Sequence, residues 1–491
     1  MDSCTSVMED WEIISRPNRK RDDLCAGDSI ATQENLVKYP HPSDVDDDFE
    51  ATTSILADLL IPGKGKPSTN QVVVVEKGKI TYVGDPNKVP SKYSRVAVKR
   101  VPVLMPGLWE CHSHFIGSSP NKPITVENMA FLHPAEAGAR NARALHDTLY
   151  AGFTSCVDLG GYAPELQTVI DEGSIIGPTL YGAGAMLSMT AGHGDVFELP
   201  LGTVQQRFSV RAPGTDAGFY PIIFADGVDE CRKAVRVNLR RKARVIKVLT
   251  SGGVTSRDDN PMYRQFSDEE LKVIVEEAGR MGLSCAAHAI GKAGIMAAIR
   301  AGFKVIEHNS FADDEVIDLM KKKGVMLVAT MTPLQSIVDN KDSYPKEMYD
   351  KAMKVVTAHK EAYARAIKAG VRCAIGSDLF GGPGSVLGPG MNGREIGLAV
   401  AAGMSPLDAI EAATANGPLT LGPEQAPKSG QIMEGYDADL IALQSSPLED
   451  IKVLQIPKNI THIWKAGILV KAPGLDSWDA LASWSKSTVK G

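Results

Sequence analysis

Between Val101 and Asp378, eight short apolar runs alternate with segments of helical spacing, and this alternation constrains the fold more than any other feature of the chain. The runs cover residues 101–105, 155–159, 179–187, 244–250, 283–288, 304–308, 325–330 and 371–378. Strands joined by helices pair in parallel, and eight such units predict a closed TIM (β/α)8 barrel. The clearest connecting helix begins at Ser267. Ser267 and Glu270 form a capping box there, and Leu271, Ile274, Val275 and Ala278 share one face. Ser405 and Pro406 open another helix, as cap and first residue. The third unit is the least regular, because residues 188–228 are rich in Gly and Pro.

The chain of 491 residues is longer than a barrel needs. Short apolar or alternating runs at 55–61, 72–75 and 79–84, cut by Gly and Pro, read as strands joined by tight turns. Strands return at 440–443 and 462–470. The expected division is an N-terminal arm over 1–48, a small β-sandwich domain from 49–104 and 425–475, the barrel over 105–424, and a tail over 476–491. The arm lacks periodicity and ends in Asp44, Asp46, Asp47 and Asp48, a composition that favours disorder.

A net charge of −6 without a basic stripe argues against a nucleic-acid partner. No apolar stretch approaches the roughly 20 residues of a membrane span. The first 20 residues are polar and read as no secretory signal. The seven cysteines are odd in number, widely spaced and free of C-x-x-C. They read as reduced thiols, and the protein as cytoplasmic.

Ten histidines are present, and four of them fall at strand ends. His112 and His114 follow directly on the first run in an H-x-H, whose alternate side chains point the same way in extended chain. His288 ends the fifth run, His308 the sixth and Asp378 the eighth. These are the positions where barrel enzymes carry catalytic groups, so a metal site at the mouth is expected. Lys247 lies in Val245-Ile246-Lys247-Val248-Leu249, the most apolar part of the fourth run. Its stem could simply pack in the barrel with the amine on a carboxylate. Beside a metal, however, burial would favour the neutral amine, which reacts with CO2 to give an anionic carbamate. Two dications about 3.5–4 Å apart repel by on the order of 20 kcal/mol at an effective dielectric near 20. A carbamate, a hydroxide and Asp378 would supply about three of the negative charges that such a pair requires.

His193 sits in Thr190-Ala191-Gly192-His193-Gly194-Asp195, a Gly-rich loop after the third run. It is either a loop histidine bonded to backbone or a contact to the substrate's carboxylate or carbonyl. Arg257, in the loop after the fourth run, is either a carboxylate clamp or a solvated partner of Asp258 or Asp259. His41, His133, His146, His359 and His462 read as structural or exposed.

With these residues in place, the chain resembles the amidohydrolase superfamily in its binuclear imidazolonepropionase- and prolidase-like branch. The resemblance covers roughly residues 51–471. It is carried by Met105-Pro106-Gly107-Leu108-Trp109-Glu110-Cys111-His112-Ser113-His114, the 190–195 loop, Lys247 followed by Ser251-Gly252-Gly253-Val254, His288, Glu307-His308 and Ser377-Asp378. Ala412-Ala413-Thr414-Ala415-Asn416 and Gly435-Tyr436-Asp437-Ala438-Asp439-Leu440 extend it. The text at 191–197, 251–261 and 292–297 is similar to fungal members that cleave the amide joining phenylalanine to an isocoumarin acid.

The resemblance implies two Zn2+ ions per chain, Lys247 as an N6-carboxylysine, and a homo-octamer. It places His112, His114 and Asp378 on the more buried metal, His288 and His308 on the more exposed one, and Lys247 between them. The function expected is hydrolysis of N-acyl amino acids or dipeptides, in the manner of a carboxypeptidase. Ochratoxin A is among the expected substrates, to be split into ochratoxin alpha and phenylalanine. A hydroxide bridging the metals would attack, with Asp378 as proton shuttle. The rivals are a mononuclear deaminase or cyclic-amide hydrolase of the same superfamily, and a non-catalytic scaffold on the same fold. The arm has no counterpart in the relatives, and the Gly- and Pro-rich loop 379–394 looks longer than theirs.

Overall fold

The computed structural model describes residues 52–120, 132–210, 221–256 and 258–475, with 480, 481 and 484. The arm expected over 1–48 lies outside the described residues, as does Arg257. Four strands open the described chain: β1 (Thr52–Leu60), β2 (Ser68–Glu76), β3 (Lys79–Gly84) and β4 (Val98–Pro106). Then follow β5 (Leu108–Ser113), β6 (Phe153–Asp158), β7 (Thr179–Gly182), β8 (Met186–Ser188) and β9 (Ile222–Phe224). Next come β10 (Ile246–Leu249), β11 (Cys285–Ala289), β12 (Val305–His308), β13 (Met326–Val328) and β14 (Cys373–Ala374). The last three are β15 (Leu440–Leu443), β16 (Ile460–Lys465) and β17 (Ile468–Lys471).

Both flanks of the barrel build one seven-stranded sheet, in the order β17-β16-β15-β4-β1-β2-β3. Alternation explains how it serves two cores. Leu440 and Ala442 of β15 join Ile55, Val73, Val75 and Trp464 in the small domain's own cluster. Their neighbours Ile441 and Leu443 face the other way, into the core under the barrel. The β-branched run Val72–Val75 is buried on both faces, because Val72 and Val74 pack with Tyr93 on the outside.

The fold is a TIM (β/α)8 barrel with a small sheet domain built from both of its flanks. Its parallel strands run β5-β6-β7 and β14-β13-β12-β11-β10-β8, with β9 added at the edge beside β8. Two seams join these groups. Arg244 N–H donates to Gly182 O at 2.8 Å, Cys111 N–H to Ile375 O at 2.8 Å, and Asp378 N–H to His112 O at 2.7 Å. One buried cluster collects Trp109, Val157, Tyr181, Val245, Ala286, Val305, Val328 and Ala374, a residue on or beside each barrel strand. That is the packed barrel interior.

Two expectations need correction. The run 101–105 belongs to β4 of the small domain, pairing with β1 and β15, and the first barrel strand is β5. Both stretches are apolar and stand on either side of Gly107, so periodicity alone does not divide them. The third run, 179–187, is broken into β7 and β8. Asn238 takes the place of ladder bonds at the break, accepting from Ala185 N at 3.0 Å and donating to Ala185 O at 2.7 Å. Gly184 has φ +73°, and a Cβ there would meet Asn238 Oδ1 at 2.7 Å.

The connecting helices follow their sequence signals. Ser267 and Glu270 make the capping box of Asp268–Gly279, which buries Leu271, Ile274 and Ala278. Ser405 caps Pro406–Ala412 through the Asp408 N–H. Among the described residues, no helix is long and apolar enough to cross a membrane.

Candidate active site

Six side chains singled out in the sequence line one cavity at the C-terminal ends of the barrel strands: His112, His114, Lys247, His288, His308 and Asp378. The cavity encloses about 1060 Å³, open mouth included, and His193 lines it too. Ile116, Ile222, Leu249, Val254, Leu334 and Phe380 give it apolar walls.

The strand ends are bent to bring these groups inward. His308, Thr330 and Asp378 have φ of +68°, +52° and +51°, left-handed values that cost non-glycine residues about 1–3 kcal/mol each. Buried carboxylates hold the bends. Glu110 accepts from His112 N at 3.0 Å, Ser377 N at 2.7 Å, Ser377 Oγ at 2.5 Å and Asn392 Nδ2 at 2.8 Å. Burial pushes Glu110 up to about 7 despite these donors. Glu395 accepts from Met331 N at 2.7 Å, and from Thr332 N at 2.8 Å and Thr332 Oγ1 at 2.6 Å, just beyond the bend at Thr330.

The partner of each imidazole fixes which nitrogen is free. Gly160 O can only accept, so His114 Nδ1 donates to it at 3.0 Å and Nε2 keeps its lone pair. Thr330 Oγ1 donates to Ala329 O at 2.7 Å, so it accepts from His308 Nδ1 at 2.6 Å. His308 Nε2 is thereby free as well. His288 is reversed: Nε2 donates to Gly252 O at 3.1 Å, which leaves Nδ1. His112 Nδ1 meets Glu307 Oε2 at 2.7 Å, both side chains being 1% exposed. Backbone or side-chain acceptors of this kind are how metal-binding histidines are oriented.

The electrostatics agree with that use. Burial, and then neighbouring Lys247 and the other histidines, pull His112 and His308 well below the usual imidazole range. Burial, His193 and Lys247 do the same to His288. Neutral imidazoles are the ligand form. Burial lowers the Lys247 ammonium, against the opposing charges of Glu307 and Asp378. Its Nζ lies 3.2 Å from His112 Nε2. Asp378 Oδ1 is 3.5 Å from His112 Nε2 and 3.3 Å from His114 Nε2. Ligand atoms of His112, His308 and Asp378 fall within 4.8 Å of one another. Nitrogen and carboxylate donors gathered this closely fit divalent transition-metal ions.

His193 is a bonded loop histidine and a cavity residue at once. Its Nδ1 is 3.0 Å from Asp259 Oδ2 and 2.8 Å from Ser256 Oγ, and its ring stacks on His288 with centroids 4.4 Å apart. Asp259 is therefore a partner of His193 and of Lys351, whose Nζ is 3.1 Å away. His359, read from sequence as structural or exposed, is buried on the helix Lys346–Ala369 and bonds Ser310 Oγ at 2.8 Å. It also borders the cavity, which a 3.6-residue helical pattern does not reveal. His133 caps a helix, His146 stacks on Tyr150, and His462 stacks on Trp464.

Comparison with known proteins now decides the family. The amidohydrolase family profile matches residues 103–470. The chain belongs to the amidohydrolase family. Ochratoxinase of Aspergillus niger is 50% identical over 437 residues, covering 88% of this chain and 89% of its own. The crystal structure of A. niger ochratoxinase superposes with a TM-score of 0.82 at 49% identity, over 87% of this chain and 97% of that one. A Xaa-Pro dipeptidase solved with methionine in its active site gives 0.73 at 27% identity, over 86% and 100%. An imidazolonepropionase of Kosmotoga olearia is 22% identical over 442 residues, covering 86% of this chain and 98% of its own. As a member of this family, the protein is a hydrolase acting on amide bonds, and its enzyme homologues act on small molecules.

Proposed function

We propose that this amidohydrolase releases an apolar or aromatic amino acid from N-acyl amino acids or dipeptides with a free carboxylate, ochratoxin A included. The observation that carries this reading is the convergence of four oriented imidazoles, Asp378 and buried Lys247 in one apolar-walled cavity. Half identity to ochratoxinase over most of both chains supports the choice of amide. In this reading His112, His114 and Asp378 would hold one zinc ion, His288 and His308 would hold a second, and Lys247 would contribute a further ligand as an N6-carboxylysine. The lowered Lys247 ammonium supports the last point, since only the free amine takes up CO2.

When bound, such a pair of ions acidifies a water molecule and polarises the amide carbonyl. The protein's residues do the rest. Asp378 takes the proton of the attacking water and returns it to the departing amine nitrogen, as base and then acid. A carbon–oxygen bond forms and the carbon–nitrogen bond breaks. His193 meets the substrate's carboxylate or the carbonyl under attack, and Arg257 is a second candidate for the carboxylate. Ile222, Leu249, Val254 and Leu334 exclude water from the acyl group.

Purified enzyme incubated with N-acyl amino acids, dipeptides and ochratoxin A, with the freed amino acid identified by mass spectrometry, tests the substrate class. Replacing Asp378 with Asn should abolish release. Metal analysis returning one ion per chain would instead favour a mononuclear deaminase or cyclic-amide hydrolase. We further propose the division into a barrel over 105–424 and a small domain from 49–104 and 425–475, a homo-octameric assembly, and a cytoplasmic location. The five described cysteines are buried free thiols, in keeping with a reducing compartment.

A further inference from the structure

The geometry points to Asp259 as the residue that positions His193 for the substrate, through a clasp across the mouth closed by Lys351. This rests on the reading above, in which His193 meets the substrate. Three segments far apart in sequence build the clasp: the loop after β8 brings His193, the loop after β10 brings Gly253, Ser256 and Asp259, and the helix Lys346–Ala369 brings Lys351.

Asp259 receives donors from every side. Gly253 N–H donates to Oδ2 at 2.6 Å, Ser256 Oγ to Oδ1, and Lys351 Nζ to Oδ1 at 3.1 Å. Its side chain is only 3% exposed. Burial alone would raise this carboxyl, but the His193 hydrogen bond and charge, with Ser256 and the Gly253 amide, hold it well below the usual range. An ionised carboxylate has no proton to give, and Ser256 Oγ has already donated its own. Both partners of His193 Nδ1 are therefore acceptors, and Nδ1 must carry the hydrogen. That leaves Nε2 as the nitrogen without a hydrogen on a ring that lines the cavity.

The loop is shaped for this ring. A Cβ on Gly253 would overlap the imidazole of His193, so the glycine is the floor on which the ring lies. His193 N–H donates to Gln265 Oε1 at 3.1 Å, which fixes the backbone as well. Lys351 holds the floor in place by donating to Ser256 O at 2.8 Å and Asp259 O at 2.7 Å. Neither Asp259 nor Lys351 lines the cavity, so each acts through His193.

The test is a double-mutant cycle on a substrate that the wild-type enzyme hydrolyses. Asp259→Asn can present its amide nitrogen to Nδ1, which would force the wrong tautomer on His193. We expect kcat/KM to fall at least tenfold at unchanged metal content. In a His193→Asn background, the same replacement should change kcat/KM by less than twofold, because its route of action is gone. Lys351→Met serves where Asp259→Asn does not fold: a loss of threefold or more is expected in wild type and less than twofold without His193. Equal losses in both backgrounds, or wild-type rates in the single variants, would overturn the positioning role. A wild-type enzyme that releases no amino acid from any amide would count against the proposed function instead.

Discussion

Glu307 offers a quantitative test of the proposed metal site. Its carboxylate lies 2.7 Å from His112 Nδ1, and burial pushes it up to about 8, against the favourable charge of Lys247. A metal on His112 Nε2 leaves the hydrogen on Nδ1, which then needs an acceptor. Glu307 accepts there most strongly as a carboxylate, so metal uptake below about pH 8 is favoured by loss of its proton. The sign follows: protons compete with metal, and affinity rises with pH until about 8 and then levels. The upper limit of this contribution is about tenfold per pH unit, since one proton is exchanged. Glu307→Gln removes both the charge and the proton. A hydrogen bond to a charged group is worth about 1.5–3 kcal/mol, which corresponds to an affinity loss of roughly 10- to 150-fold. Orienting partners of metal-bound histidines typically account for about 10- to 100-fold. Competition against a chelator of known affinity, run from pH 6 to 9 on wild type and variant, reads both quantities. A variant that binds metal as tightly as wild type with the same pH slope would refute the reasoning.

Four further outcomes are expected. Asp378→Asn should abolish turnover while leaving the circular dichroism spectrum unchanged, and full activity in that variant would sink the proton shuttle. Gly253→Ala places a methyl group in the ring of His193 and should lower kcat/KM at least tenfold, with metal content measured by mass spectrometry unaltered. Lys465→Met leaves Asp439 buried without its partner at 2.7 Å, and urea titration should show a loss of about 3–5 kcal/mol. Burial lowers His359 from 6.5 to about 4, so the stability it confers is whole above pH 6.5 and is lost as pH falls towards 4; His359→Gln should flatten that decline, worth up to about 3 kcal/mol, in melts taken at successive pH values.

What could be read from the sequence follows a physical division. Metal-ligand chemistry needs a few residue types, and barrels place them at strand ends, so His112, His114, His288, His308 and Asp378 stood out against the period-2 text around them. Lys247 stood out because an ammonium in an apolar strand is costly. The orienting groups carry no such mark. His114 and His288 are held by the carbonyls of Gly160 and Gly252, which any residue would supply. Thr330 looks like an ordinary strand-end threonine, and Glu307, noted in the sequence only beside His308, shows its role only once the fold brings it to His112 Nδ1. Asp258 and Asp259 are adjacent and chemically alike, and only the fold turns Asp259 onto His193. Similarly, Asn238 replaces strand pairing at the break in the third unit from 53 residues away.

The buried carboxylates explain how chemistry and substrate choice are kept apart in this barrel. A strand ladder ends at the mouth, and its last N–H groups would lack partners where the backbone turns left-handed. One carboxylate offers two oxygens with several acceptor positions. Glu110 ties the backbone of His112 to that of Ser377, Asp158 takes the N–H groups of Phe115 at 3.2 Å and Ala163 at 3.0 Å, and Glu395 secures Met331 and Thr332. Burial raises Glu110 and Glu395 to about 7 and Asp158 to about 6, the cost of placing them there. The proposed metal ligands thus stand on a rim fixed from below by groups that touch no substrate. His193 and its clasp, by contrast, ride on loops held from the side by Lys351. Under the proposed function, changes in the 251–261 loop, or in the 379–394 loop that brings Phe380 to the cavity, are expected to redirect which amide is cut while the ligand set keeps its geometry, and a substrate panel and a metal titration on loop variants should move independently.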